Sequence, residues 1–122
     1  MSATEIGNKL VAFCRNGKFL DSIDALYSDD IVSVEAMAPP GGEQTMTGKE
    51  AVRGKNTWWI ENHEIHSMEV EGPYPHGDRF AVRFKFDVTD KPSGQRQVLD
   101  EVGLFTVAGG EVVREEFFYG AE

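Results

Sequence analysis

Hydrophobic residues in the first quarter of the chain recur at the spacing of an α-helix. Two such stripes are present, made of Ile6, Leu10, Phe13 and Cys14, and of Phe19, Ile23, Leu26 and Tyr27. Ser2 and Glu5 form a capping box before the first stripe, and Asn16-Gly17 is a typical helix end. The pattern predicts one helix that starts at Ser2 and a second that the polar run 28–30 ends.

A strand, a loop and a third helix are predicted next. The β-branched run 31–37 is typical of a strand, and the segment Pro39-Pro40-Gly41-Gly42 opens a loop that reaches about Thr47. Thr47 and Glu50 form a second capping box, which predicts a helix that ends near Asn62.

The second half of the chain alternates apolar and polar residues as strands do. We predict a strand over 64–70, a turn over 72–77 and a strand over 79–89. One face of this last strand carries Phe80, Val82, Phe84, Phe86 and Val88. After a turn at 90–94, two long strands joined at 108–111 form a closing hairpin.

The order of elements is therefore α-α-β-α-β-β-β-β, in one domain that spans residues 1–122. Short turns between strands predict an antiparallel sheet, and helices gathered in the first half must cover one face of it, so the fold class is α+β. The last three strands each have about ten residues or more, which is longer than usual. We expect a strongly bent sheet wrapped around the three helices.

Charge and composition limit the classes of partner. The 122 residues carry a formal net charge of −9 and are 40% hydrophobic, as in a soluble globular protein. This charge disfavours nucleic acids and anionic membranes, because both attract Lys and Arg. The single cysteine, Cys14, permits no internal disulfide, and we see no long apolar run and no signal peptide. We therefore expect a cytoplasmic protein.

Several segments resemble one known superfamily. The resemblance rests on the order of elements, the break Arg15-Asn16-Gly17-Lys18, the run LYSDDIVSVE, the helix start TGKEAV and the ending GGEVVREEFFY. These are similar to the nuclear transport factor 2-like superfamily and, within it, to the SnoaL-like group. The resemblance implies a cone-shaped α+β barrel with an apolar pocket at its wide end and a homodimer formed through the sheet. It also implies chemistry without a cofactor on a small hydrophobic molecule, or binding of such a molecule alone.

The catalytic sets of the better-known superfamily members are incomplete in this chain. Steroid isomerases of this fold have a tyrosine in the first helix and an aspartate on the first strand, which match about Leu10 and Ala36 here. Their second aspartate matches Val102 or Gly103. Polyketide cyclases of the SnoaL type use a histidine on the penultimate strand, and residues 95–107 contain none. The resemblance therefore implies the scaffold without assigning a reaction.

Glu101 is the first candidate for a catalytic residue. If Leu99, Glu101 and Phe105 share the inner face of their strand, burial raises the pKa of Glu101 and makes it a general acid or base. Arg83 on the preceding strand then lies opposite Glu101, in the pocket or as a structural cross-strand partner. A shift of one residue places Asp100 inward instead.

Glu35 and His63 are two further catalytic candidates. Glu35 lies on the first strand, where it faces either the pocket mouth or solvent. His63 lies at the end of the third helix, as an acid–base group or as a helix cap. The spacing of His63 and His66 suggests a metal ion, but no third ligand stands at a familiar spacing, so we predict no metal site.

The remaining candidates are residues that would hold a ligand. They are Trp58, Trp59, Tyr27, Arg83, Phe105, Glu115, Glu116 and Tyr119. Core packing alone would explain the tryptophans and Tyr27, and one of the adjacent acids Glu115 and Glu116 must face outward. Three functions stay open: an enzyme of proton-transfer type, a non-catalytic binding protein and a dimerisation scaffold.

Overall fold

The computed structural model describes residues 2–38 and 41–119, which form three helices and a six-stranded sheet. The helices are α1 (Ala3–Arg15), α2 (Phe19–Leu26) and α3 (Lys49–Asn62). The strands are β1 (Tyr27–Val34), β2 (Thr45–Thr47), β3 (His63–His76), β4 (Arg79–Asp90), β5 (Arg96–Ala108) and β6 (Glu111–Phe118). The Pro39-Pro40 loop start and the outermost ends of the expected 1–122 domain lie outside the described residues. No described helix has the length and apolar character needed to cross a membrane.

The strands form one open sheet in the order β2-β1-β6-β5-β4-β3. β1 and β6 run parallel, and the other neighbouring pairs are antiparallel. The α+β class is confirmed, with the refinement that the sheet is mixed and open. Short turns constrain only strands that follow each other in sequence. β1 meets β6 from a distant part of the chain, so no turn fixed their relative direction.

Two local predictions fail at the start of the sheet. The polar run 28–30 does not follow the second helix as a loop, because β1 begins at Tyr27 directly after α2. The expected loop before α3 contains the edge strand β2, in which Met46 pairs with Ser33 of β1. A run of polar residues can belong to a strand as well as to a loop, since only one face of the strand needs to be apolar.

Two more predictions fail where glycine changes the backbone direction. Gly48, rather than Thr47, is the N-cap of α3, and its φ of 103° is unfavourable for a β-branched residue. The expected turn over 72–77 belongs to β3 as far as His76, and the register of this strand shifts between Glu71 and Tyr74. The chain reverses only at Gly77, with a φ of 63°. The glycine and proline residues that predicted a turn therefore mark an irregularity within a strand.

The core lies between the helices and one face of the sheet. It includes the five alternating residues of β4 that were predicted to share a face, and all five are buried. Phe80 stacks on Phe105 of β5, with the ring centroids 5.0 Å apart. α1 approaches β3 so closely that a Cβ on Gly7 would lie 2.7 Å from Cβ of Pro73. Glycine at this position permits the close packing of helix on sheet.

Candidate functional site

Three glutamate side chains interact on the helix-covered face of the sheet: Glu35, Glu101 and Glu115, here called the glutamate cluster. Glu35 follows β1, Glu101 belongs to β5 and Glu115 belongs to β6. The sheet order places β6 between β1 and β5, so the three acids come from adjacent strands. The charges of Glu35 and Glu115 both raise the pKa of Glu101, as expected for neighbouring carboxylates.

Lys55 of α3 brings a positive charge into the glutamate cluster. Its Nζ lies 2.7 Å from Oε1 of Glu35 and donates a hydrogen bond of 2.8 Å to Oγ of Ser33. The same Nζ lies 5.5 Å from the centroid of the Phe117 ring, within the range of a cation–π contact. Three carboxylates around one ammonium would carry excess negative charge if all were ionised, and this excess favours binding of a proton.

Glu115 is deeply buried, with 2% of its surface exposed. The Tyr27 hydroxyl donates a 2.5 Å hydrogen bond to Oε2 of Glu115, and Ser33 is the Cα partner of Glu115 in β1, so its hydroxyl also lies on the same face. Burial raises the pKa of Glu115 against the opposing effects of Lys55 and these two hydroxyls. Burial and the Glu115 charge also raise the pKa of Tyr27 well above its usual value, so the phenol stays protonated.

Glu101 is the cluster member suited to exchange protons at neutral pH. Burial is the largest cause that raises its pKa to about 7, the Glu35 charge adds to this, and the Lys55 charge opposes it. Its side chain keeps partial exposure to solvent. Within residues 2–38 and 41–119, no hydrogen bond competes for its carboxyl oxygens. Both the protonated and the ionised form are therefore populated near pH 7.

An open depression of about 610 Å³ reaches the glutamate cluster at Glu35. It is lined by Val34, Glu35, Ala36, Gln44, Glu116, Phe117, Phe118 and Tyr119. The Tyr119 hydroxyl lies 3.4 Å from Oε2 of Glu35 as a donor. Burial, followed by the charges of Glu35 and Glu101, raises the pKa of Tyr119. A small molecule in this depression would meet a carboxylate and a protonated phenol.

The prediction that Arg83 faces Glu101 is wrong. The Cα partner of Glu101 in β4 is Phe84, and Arg83 pairs with Val102 on the opposite face of the sheet. There the guanidinium donates hydrogen bonds of 3.0 and 2.8 Å to the carboxylate of Asp100. Because successive strand residues point to opposite faces, a register one residue away from the expected one moved Arg83 out of the site.

The paired acids on β6 divide as the alternation of a strand requires. Glu115 faces inward, whereas Glu116 faces outward, accepts a hydrogen bond of 2.8 Å from Arg114, and still contributes to the rim of the depression. Phe105 is predicted to touch a ligand, but it is 1% exposed and stacks within the core. Its ring nevertheless contacts Phe117 edge to face, at 6.2 Å between centroids.

His63 lies in a separate aromatic group at the end of α3. Its Nδ1 is 2.8 Å from the carbonyl oxygen of Trp59, and its ring stacks on the Trp59 indole at 4.4 Å between centroids. Its Nε2 lies 3.8 Å from Asp90. These contacts tie His63 to the helix end, in agreement with the cap alternative, and connect it to no member of the glutamate cluster.

The two tryptophans differ in their environment. Trp59 packs against the core ring of Phe86, with centroids 5.5 Å apart, while Trp58 is 61% exposed. This agrees with the interpretation that one of them is a core residue, and it leaves Trp58 on the surface. Among the described residues, no group of three or more His, Cys, Asp or Glu side chains is arranged to hold a metal ion.

Sequence reasoning missed two functional residues, Lys55 and Ser33. Lys55 lies three residues after the buried Val52 and four before Trp59, so helical spacing does place it on the inward face of α3. Ser33 shares a strand face with the fully buried Ile31 and with Glu35. A polar residue on an apolar face was therefore the signal in both cases.

Nearly the whole chain matches one family model. The model of the SnoaL-like domain matches residues 1–119. The chain belongs to the SnoaL-like family. No protein of curated function shows significant sequence similarity to this SnoaL-like chain.

Solved structures of similar proteins share the fold. A Mesorhizobium loti protein is 46% identical to this chain, with a TM-score of 0.91. The match covers 98% of this chain and 100% of that one. The Mesorhizobium loti protein is described as a candidate SnoaL-like polyketide cyclase and also as a carbohydrate phosphatase. A candidate polyketide cyclase from Pseudomonas putida is 22% identical, with a TM-score of 0.73 over 98% and 92% of the two chains. A nuclear transport factor 2-like protein from Burkholderia thailandensis is 16% identical, with a TM-score of 0.79 over 97% and 90%. The superfamily and SnoaL-like group expected from the sequence are confirmed.

Proposed function

We propose that this SnoaL-like protein binds a small, mainly apolar molecule and catalyses proton transfer on it without a cofactor, with Glu101 as the general acid–base residue. The observation that carries the proposal is the Glu101 carboxyl, which lies beside two other acids with a pKa raised to about 7. A general acid–base group is most effective when its pKa is near the working pH. Groups with such raised values concentrate at functional sites.

The surroundings of Glu101 suit an apolar substrate with one polar group. Phe84 is its Cα partner in β4, and the rings of Phe105 and Phe117 lie against Gly103, two residues further along the same face. A Cβ on Gly103 would lie 2.8 Å from the Phe105 ring, so the glycine allows these rings to pack beside the strand. Phe84 and Phe105 are core residues, and Phe117 is the ring of this group that lines the depression, so it is the apolar wall that a substrate would meet.

The proposed chemistry moves one proton within one substrate. The ionised Glu101 carboxylate takes a proton from a C–H bond next to a carbonyl group, and the electron pair moves onto the carbonyl oxygen as an enolate. The Glu101 carboxyl then returns the proton to another atom of the same molecule, which completes an isomerisation or follows ring closure. Tyr119 would stabilise the oxygen anion by turning its single hydroxyl proton from Glu35 towards the substrate oxygen.

Similar proteins support this class of reaction. The Mesorhizobium loti protein, at 46% identity, is described as a candidate polyketide cyclase, and a Bacillus subtilis protein of the same fold is described as a candidate isomerase. Cyclisation and isomerisation of carbonyl compounds through an enolate both involve removal and return of a proton. Binding alone is the second candidate function, since Glu115 and Glu35 are already paired with Tyr27 and Lys55.

Proton exchange in deuterium oxide tests the enzymatic function without a known substrate. The probes are small cyclic enones and 1,3-diketones, whose α-protons are followed by NMR. We expect the protein to accelerate loss of the α-proton signal, with a rate that rises with pH through a midpoint near 7. Glu101→Gln should lower the protein-dependent rate by about 100-fold or more, as removal of a general base usually does.

Glu64→Gln is the matched control, because Glu64 is an exposed acid on β3. This variant should keep the full exchange rate. If Glu101→Gln exchanges protons as fast as the unmodified protein, Glu101 is not the base. If no probe exchanges but the probes shift protein resonances near Tyr119 in both forms, binding alone is the better function.

We also propose that the protein is a homodimer that pairs through the uncovered face of the sheet. The apolar residues of this face, here called the outer patch, are Tyr74, Val98, Val102, Leu104 and Phe118. Tyr74, Val98 and Phe118 are each more than half exposed, and Val102 is the Cα partner of Phe118. The ion pair Arg83–Asp100 lies within the patch, because Asp100 stands between Val98 and Val102 on one strand face, and Arg114–Glu116 lies beside it. Exposed apolar and aromatic residues together with arginine are typical of protein interfaces.

A further inference from the structure

We propose that Lys55 is a positioning residue for Glu101. Its ammonium keeps both the protonated and the ionised form of Glu101 populated, as proton transfer requires. This inference rests on the proposed function of Glu101, and it assigns to α3 an electrostatic role in the site. Lys55 does not contact a substrate in this proposal. It acts through the glutamate cluster.

The ammonium is held in place from three sides. It donates to Ser33 Oγ at 2.8 Å, lies 2.7 Å from Glu35 Oε1 and sits over the Phe117 ring at 5.5 Å. The side chains of Lys55 and Glu35 are only 24% and 23% exposed. An ammonium in such a partly buried position is screened less by water and salt than a surface lysine.

The groups that face the cluster come from every neighbouring element. From the first half of the chain they are Cys14 of α1, Tyr27 and Ser33 of β1, and Glu35 after β1. From the second half they are Glu101 of β5, Glu115 and Phe117 of β6, and Tyr119 after β6. Burial raises the pKa of Cys14 to about 12, so this thiol stays neutral. Lys55 is thus the cation that opposes three carboxylates in the described part of the chain.

Removing either partner of the Lys55–Glu35 pair should change Glu101 in opposite directions. The ammonium lies over the Phe117 ring, which packs against Gly103, two residues from Glu101 on the same strand face. At this short range the Lys55 charge lowers the pKa of Glu101, and the Glu35 charge raises it. Loss of the ammonium therefore favours protonated Glu101, whereas loss of the Glu35 carboxylate favours the ionised form. A lysine with only a packing role would not produce the first effect, whereas the second comes from the Glu35 charge itself.

The test measures the titration of Glu101 by carboxyl carbon NMR, in the whole protein and without any substrate. Glu101→Gln identifies the resonance. We expect Lys55→Met to raise the proton affinity of Glu101 by about tenfold, whereas Lys55→Arg should leave it within about twofold. Glu35→Gln should lower the same affinity severalfold. Lys55→Gln, which removes the same charge but keeps a polar group beside Ser33 and Glu35, gives the same test if Lys55→Met fails to fold.

Lys49→Met is the matched control, since it removes a lysine from the same helix. Lys49 lies 3.8 Å from Asp29 and is not among the groups that shift Glu101. The Glu101 midpoint should therefore stay unchanged in this variant. The proposal is overturned if neutral variants of Lys55 leave the Glu101 midpoint unchanged, or if Lys49→Met moves it as far as Lys55→Met does.

The outcome is separable from that of the exchange assay. If Glu101→Gln keeps full exchange activity while Lys55→Met shifts the Glu101 titration, the proposed function fails and the electrostatic role stands. If Glu101→Gln loses activity while the titration in Lys55→Met is unmoved, Glu101 is the base and Lys55 only packs.

Discussion

At the scale of single residues, Glu101 links the site to the stability of the fold. Its pKa is about 7 in the folded protein, against an ordinary value of 4.5. The folded state therefore binds more protons than the unfolded state between these values, so this stabilisation is present below pH 4.5 and is lost as pH rises through 7. We expect unfolding in urea at pH 8 to require on the order of 2 kcal/mol less free energy than at pH 5 from this group alone.

Glu101→Gln should remove this contribution, because an amide carries no charge at either pH, whereas Glu115, whose pKa burial also raises, keeps its own contribution. Glu64→Gln, which changes an exposed acid, should behave as the unmodified protein does. The range from pH 5 to pH 8 avoids the titration of Asp87 and Asp100. Arginine partners lower the pKa of both carboxyls, so their effects on stability fall below pH 4. If Glu101→Gln loses as much stability between pH 5 and pH 8 as the unmodified protein does, burial of Glu101 does not make stability depend on pH.

The inward direction of Glu101 was predictable, while the identity of its neighbours was not. Alternation along β5 places Glu101 on the face of the buried Phe105, and this depends only on the strand itself. The partner of Glu101 depends on register, and a slip of one residue exchanged Arg83 for Phe84. Lys55 joins the cluster from a helix through a long side chain, a contact that no spacing in the sequence specifies.

At the scale of elements, the contact between α1 and β3 depends on one glycine. A Cβ at Gly7 would lie 2.7 Å from Cβ and 3.0 Å from Cγ of Pro73, both in a rigid ring. Gly7→Ala should therefore destabilise the protein by about 1–3 kcal/mol, although alanine is the better helix former. Chemical denaturation measures the difference.

Gly54 of α3 provides the matched control, because an added Cβ there meets no atom within 4 Å. Gly54→Ala should stabilise the protein by about 0.5–1 kcal/mol through helix propensity alone. Equal effects of the two substitutions, in either direction, would contradict the close contact of α1 with β3.

Elements with local signals were predicted from the sequence, and elements with distant partners were not. The capping box of Ser2 and Glu5 is present, and α3 ends at Asn62 as expected. β2 has only three residues and exists because Thr45–Thr47 pairs with β1, so its own sequence gives little indication of a strand. The 72–77 segment contains strong turn residues, yet pairing with β4 keeps it in β3.

At the scale of the whole molecule, the parallel pairing of β1 with β6 assembles the site. This pairing sets Ser33 beside Glu115 and brings Glu35 next to the last strand. The two strands are separated by α3 and four other strands in sequence, so no turn or local pattern encodes their contact. The resemblance to a known superfamily supplied the overall fold, and the detailed grouping of Glu35, Lys55 and Glu115 followed only from the three-dimensional arrangement.

The same sheet leaves its other face for association with a second copy of the chain. Sedimentation should give a mass twice the 13.6 kDa of one chain if the outer patch pairs in solution. Val102→Asp places a charge beside the exposed Phe118 in both copies, and burying two unpaired carboxylates is costly, so we expect the monomer mass. Asn8→Asp introduces the same charge on the exposed surface of α1 and should keep the dimer. A monomer mass for the unmodified protein, or a dimer that survives Val102→Asp, would rule out pairing through this patch.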